Sequence, residues 1–115
     1  MIWQGIDKRR FPRAEYPCKV VILRNDLKET FSTHTENIGT GGICVVLPRE
    51  LPKFCPVRVL LYLKDGGGLL ECDGRIIWAV KREDCFDTGI EFLDIRETDR
   101  LRIEKVVQRC LEKQI

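Results

Sequence analysis

Histidine occurs once in these 115 residues and methionine once, and the six cysteines include no Cys-x-x-Cys pair. Zinc and iron–sulfur sites draw on thiolates and imidazoles at short, repeated spacings. Cys18, Cys44, Cys55, Cys72, Cys85 and Cys110 are too scattered for that, and His34 is near none of them in sequence. Several of these cysteines fall inside apolar strand-like runs, where a thiol behaves as a small hydrophobe. Reduced core or half-buried thiols are therefore expected, with no metal and no cofactor. No apolar run approaches the roughly 18 residues that span a bilayer, so membrane insertion is not expected. The opening Met1–Asp7 stretch lacks the basic and apolar regions of a secretory leader, and a cytoplasmic location is expected. Aromatic residues make up only 8% and form no stacking array along one strand face, which argues against a nucleic-acid binder. Nothing resembles a nucleophile–base pair, a carboxylate dyad or a phosphate-binding P-loop. A binding protein is expected rather than an enzyme.

What is present is an ordinary globular composition, 43% hydrophobic and 33% charged. The length suits one domain able to bury roughly two thirds of its unfolded surface. The formal charge of +2 hides an asymmetry. Lys8, Arg9, Arg10, Arg13, Lys19 and Arg24 face only Asp7 and Glu15 in residues 1–24, a surplus of four, so the remainder is net −2. Positive charge gathered near one terminal segment favours a small anionic ligand over a long polyanion.

The chain reads as short β-type runs between polar turns. Cys18–Arg24 is the first, and Lys28–Thr35 the second, with Thr30, Ser32 and an exposed His34 alternating against Phe31, Thr33 and Thr35. A glycine turn at 37–42 precedes Ile43–Leu47. Pro48, Pro52 and Pro56 mark an irregular connection. Val57, Val59, Leu61 and Leu63 alternate as a half-buried strand. Asp65-Gly66-Gly67-Gly68 is a turn with positive-φ options, leading into a strand from Leu69 to Val80. On that strand Cys72, Gly74, Ile76, Trp78 and Val80 are expected on one face, with Trp78 in the core. Phe86–Leu93 is the last strand. Ile103, Val106, Val107, Cys110 and Leu111 then recur at helical spacing, with Asp94 or Thr98 as possible caps. Leu101 lies opposite that stripe and is expected to precede the regular helix. These elements predict a mainly β fold: a six-stranded antiparallel barrel, whose closure removes exposed edges, with a C-terminal helix. Residues 1–15 are expected to form a flexible basic arm and residues 16–115 the barrel and helix.

Two motifs carry the functional signal. Arg9-Arg10-Phe11-Pro12-Arg13 sets two guanidinium groups four residues apart, and Pro12 disfavours helix there. Asn37-Ile38-Gly39-Thr40-Gly41-Gly42 offers an amide that donates and accepts, beside glycines that allow backbone to approach a ligand closely. Further on come Gly74-Arg75-Ile76-Ile77-Trp78 and Thr88-Gly89-Ile90-Glu91-Phe92. In this order the segments resemble the PilZ family, with its RxxxR arm and (D/N)xSxxG turn, from about Lys8 to Leu111.

The resemblance implies a receptor for cyclic di-GMP. It makes Arg9 and Arg13 the primary ligands and Asn37 a partner for a guanine edge, with Gly42 as the final motif glycine. Gly39 stands where the family has serine. Lys8 directly precedes the arginine pair and Arg10 lies within it, and both could add phosphate contacts. The implied output is an unidentified effector protein in motility, attachment or exopolysaccharide control, acting from a monomer or weak homodimer. The departure at Gly39 leaves a second reading open: a PilZ-like interaction module with weak or no nucleotide binding.

Overall fold

Among the described residues the hydrophobic alternation resolves into seven strands and one helix. A computed structural model describes residues 13–24, 26 and 28–113, with residue 13 as backbone only. In chain order the elements are β1 (Arg13–Ala14), β2 (Lys19–Arg24), β3 (Glu29–Gly39), β4 (Gly42–Leu47), β5 (Pro56–Leu61), β6 (Leu70–Arg82), β7 (Cys85–Phe92) and α1 (Glu97–Lys113). Lys8, Arg9 and Arg10 lie outside the described residues.

Every pairing is antiparallel, and six strands close in the order β3-β2-β5-β6-β7-β4 and back to β3. The six-stranded barrel with a C-terminal helix expected from the pattern is what forms. Closure depends on β3, which is longer than its alternation suggests. Glu29 to His34 pair with β2, whereas Thr35, Asn37 and Ile38 pair with β4. The strand thus runs through Asn37 to Gly39, and the expected glycine turn shrinks to Thr40–Gly41. Backbone hydrogen bonding to β4 overrides the glycine signal there. β1 joins the second half of β3, beyond the end of β2.

Val20, Ile22, Ile38, Ile43, Val59 and Ile90, among others, are fully buried inside the barrel. Leu51, from the proline-marked connection, is 1% exposed and joins the same core. Ile103, Val106 and Val107 bury the apolar stripe of α1, which packs over β1 and β3. α1 begins before Leu101, so that residue is helical and 42% exposed rather than preceding the helix. Thr98 likewise falls inside the first turn. No helix among the described residues is long and apolar enough to cross a membrane. Cys18, Cys44, Cys55 and Cys72 are buried and Cys85 and Cys110 half-buried, all in the thiol form. Burial pushes the Cys72 thiol up to about 12, which keeps it neutral and unreactive.

One correction concerns β6. Ile76 pairs with Ile90 but Trp78 pairs with Gly89, so Ile77 is an extra, bulged residue. A bulge shifts the side-chain alternation by one. Trp78 therefore leaves the core face and covers Gly89 from outside, and Val80 is 42% exposed. Three consecutive apolar residues, Ile76-Ile77-Trp78, were the available hint that a period of two breaks here.

The Asp65–Gly68 turn also clamps the helix. Arg102 donates from Nε and Nη2 to the Asp65 carboxylate at 2.9 and 2.8 Å, and from Nη2 to the Gly68 carbonyl at 2.7 Å. The Gly67 N–H donates to the same carboxylate at 2.9 Å. A Cβ at Gly67 would stand 2.8 Å from the Arg102 guanidinium, so a side chain there would push the clamp open. The arginine hydrogen bonds hold the Asp65 carboxyl at a pKa of about 2. A depressed carboxylate contributes stability above its unfolded pKa, near 4, and loses it as pH falls through the folded value. Asp65→Asn should therefore cost about 2 kcal/mol at neutral pH. Urea unfolding at pH 7 and pH 2.5 should show the gap between variant and parent narrowing at the lower pH.

Candidate functional site

The candidate residues are brought together by strand register. Arg13 pairs with Gly39 and Ala14 with Ile38, so the second arginine of the basic motif lies directly across from the Asn-Gly segment. Asn37 pairs with Cys44, Cys44 with Gly89, and Gly89 with Trp78. Because Ile38, Ile43, Ile90 and Ile76 fill the core, alternation turns Asn37, Cys44, Gly89 and Trp78 outward. One row across four strands thus runs from the asparagine to the indole.

Thr35 fixes this geometry. Its hydroxyl accepts from the Cys18 N–H at 3.0 Å and donates to the Tyr16 carbonyl at 2.6 Å, while its own N–H donates to the Cys18 carbonyl at 3.0 Å. The Tyr16 hydroxyl accepts from the Lys64 N–H at 2.7 Å. These bonds satisfy backbone groups where the β1–β2 connection leaves the ladder. They also hold β1, and with it the Arg13 backbone, against β3. Thr35 is 2% exposed, yet in sequence it reads as one more polar strand residue.

Between Thr35 and Asn37 the register slips, leaving Glu36 as the extra residue of a second bulge. The bend opens a cleft of about 600 Å³ beside Asn37, lined by Glu15, His34, Thr35, Glu36 and Val46 among others. His34 is exposed, as expected. Asn37 Oδ1 is buried without a hydrogen-bond donor among the described residues. An orphaned buried acceptor typically costs about 1–3 kcal/mol, and native structures keep few without a reason. Here it marks a place where an outside donor would be welcome.

The glycines divide by role. A Cβ on Gly42 would lie 2.2 Å from the Ile90 carbonyl oxygen, so this position permits β4 and β7 to close. A Cβ on Gly89 would meet the Trp78 indole at 2.3 Å, so Gly89 is the seat of that ring. Gly39 is buried in strand, and the positive-φ glycines among the described residues are Gly66 and Gly68. Its backbone is therefore one that serine can adopt.

Comparison with known proteins agrees with this fold. The PilZ domain family model matches residues 7–111. Among solved structures, the Bacillus subtilis inhibitor of motility MotI/DgrA superposes with a TM-score of 0.77 at 20% identity, over 92% of this chain and 51% of that one. The PilZ domain of YcgR from Escherichia coli, solved with c-di-GMP, gives 0.73 at 14% identity, over 93% and 94%. The K. pneumonia MrkH–c-di-GMP complex gives 0.75 at 18%, over 92% and 52%. This chain thus spans about half the length of MotI/DgrA and MrkH. None of the curated proteins matches it in sequence.

The Gly42 contact makes a direct test. Gly42→Ala should lose about 1–3 kcal/mol of stability through overpacking against a backbone that cannot give way. A lowered urea midpoint with an unchanged m-value would report it.

Proposed function

This chain belongs to the PilZ domain family, and from that premise we propose that it is a receptor for cyclic di-GMP rather than an enzyme. The observation that carries the reading is the pairing of Arg13 with Gly39, two residues from the orphaned Asn37 oxygen. In this reading residues 1–15 act as the arm and residues 16–115 as the barrel that receives it. Arg9 and Arg13 engage the phosphates and the O6/N7 edge of guanine, which suit a planar arginine fork. Arg10 and Lys8 add phosphate contacts. Asn37 Oδ1 accepts from a guanine N–H, satisfying its missing bond. Trp78, lying on the outer face over Gly89, offers an aromatic surface to a purine, a role that a core tryptophan could not fill.

Residues 13 and 14 already pair with β3 as β1, so ligand binding draws the segment before them onto the barrel and part of the binding energy goes into ordering it. The surface so formed engages an effector in motility, attachment or exopolysaccharide control, with the protein a cytoplasmic monomer or weak homodimer. A second reading, an interaction module with weak or no nucleotide binding, is motivated by Gly39, which has no hydroxyl to offer.

Thermal melting with cyclic di-GMP against GMP and GTP separates the two. Cyclic di-GMP at 100 times its dissociation constant should stabilise the protein by about 2.7 kcal/mol. No shift at millimolar ligand would favour the interaction module. By calorimetry, Arg13→Ala should weaken binding about 10- to 150-fold, the cost of one charge-assisted contact. Gly39→Ser should tighten it about two- to tenfold at unchanged stability, since a serine hydroxyl adds one neutral hydrogen bond. Unchanged affinity in that variant would remove position 39 from the site.

A further inference from the structure

Most arginines of the barrel surface are closely paired. Arg58 donates to Glu71 at 3.0 Å and Asp73 at 2.8 Å, and Arg75 to Glu91 at 2.9 Å. Arg82 differs. Its Nη2 stands 3.7 Å from Glu36 and 3.5 Å from Asp87, both beyond the roughly 2.7–3.2 Å of a well-made hydrogen bond. Its side chain is 53% exposed. Asp87 Oδ1 is buried and has no hydrogen bond among the described residues.

The location is what gives this triad meaning. Glu36 is the bulged residue immediately before Asn37 and lines the cleft. Asp87 lies on β7 two residues from Gly89, on the same outward side by alternation. Arg82 comes from the far end of β6, four residues beyond Trp78. Its guanidinium meets a β3 carboxylate across the intervening β4 and β7, so it lies along the edge of the row that joins Asn37 to Trp78. One cation is shared loosely by two carboxylates, and its fork is not committed to either.

We infer that Arg82 is a further anion-contacting residue of this site, held by Glu36 and Asp87 in the free protein and turned onto a phosphate when the ligand binds. The inference rests on the cyclic di-GMP reading above. A guanidinium fork matches a phosphate in two parallel hydrogen bonds, a better pairing than its present long contacts. An unpaired Glu36 on the cleft wall would repel an anionic ligand, so its pairing with Arg82 also masks that charge. Binding therefore exchanges one partner of Arg82 for another, and Glu36 competes with the ligand.

Calorimetric titration of cyclic di-GMP into the full chain, Arg82→Ala and Glu36→Gln tests this. Arg82→Ala should weaken binding about tenfold. Glu36→Gln should tighten it about two- to fivefold, because the competitor is removed. Both differences should shrink in high salt, and neither variant should melt much earlier than the parent, since exposed ion pairs add little stability. Parent-like affinity in Arg82→Ala would overturn the inference while leaving the receptor reading intact. Weaker binding in Glu36→Gln would also overturn it, since the carboxylate would then itself be a ligand contact. Absence of binding by the unmodified protein would overturn the receptor reading and this inference together.

Discussion

The architecture depends on one strand serving three neighbours. β3 is bonded to β2 along its first half, and to β4 and β1 along its second. Ended at Thr35, it would leave the sheet with two open edges and Asn37 on a loop. Continued to Gly39, it closes the ring and removes the edges that invite unwanted pairing. The bulge at Glu36 makes the continuation possible, because an extra residue bends and twists the strand at the point where it changes partner. Thr35, just before the bulge, then binds the passing chain and sets where β1 can lie.

The same device recurs at Ile77, and the two bulges together build the outer face. Each shifts a strand by one residue, and a one-residue shift turns every later side chain to the opposite side. The first takes Asn37 out of the alternation that Phe31, Thr33 and Thr35 set; the second carries Trp78 out of the barrel. Between them lie Cys44 and Gly89, the latter kept bare so that the indole can sit where a Cβ would otherwise stand. A barrel of regular strands would have buried the tryptophan and left no such row.

Charge is arranged in two regimes. Arg102 is largely enclosed, bound through both ends of its fork to Asp65, and serves the fold by tying a hairpin to the helix. Arg82 is half-exposed and loosely held, and solvent and salt screen whatever it contributes to stability. An arginine that adds little to folding remains available for binding, whereas one that anchors a helix does not. Of the basic residues in the first 24, Arg13 has its backbone paired with Gly39, beside this surface.

Much of this was legible in the sequence. Alternating β-branched runs, short polar turns and a terminal amphipathic stripe were enough for a small closed barrel with one helix, because burial periodicity is written locally. The Asn37–Gly42 segment and the arginine pair could likewise be recognised from residue type and spacing. Two of the places where local reading failed share one cause. The end of β3 and the outward turn of Trp78 each depend on which backbone lies alongside, and hydrogen bonding between distant strands outweighed local preference. Leu101 is different, a residue on the outer face of a helix that begins four residues before it. Thr35, Glu36 and Arg82 carried no local signal, since a polar residue on a strand reads the same whether it faces water or a partner. Residue types and their order determined the elements and the candidate ligand groups. Only closure of the barrel, through the register of β3 and β6, decided which of those groups share a surface.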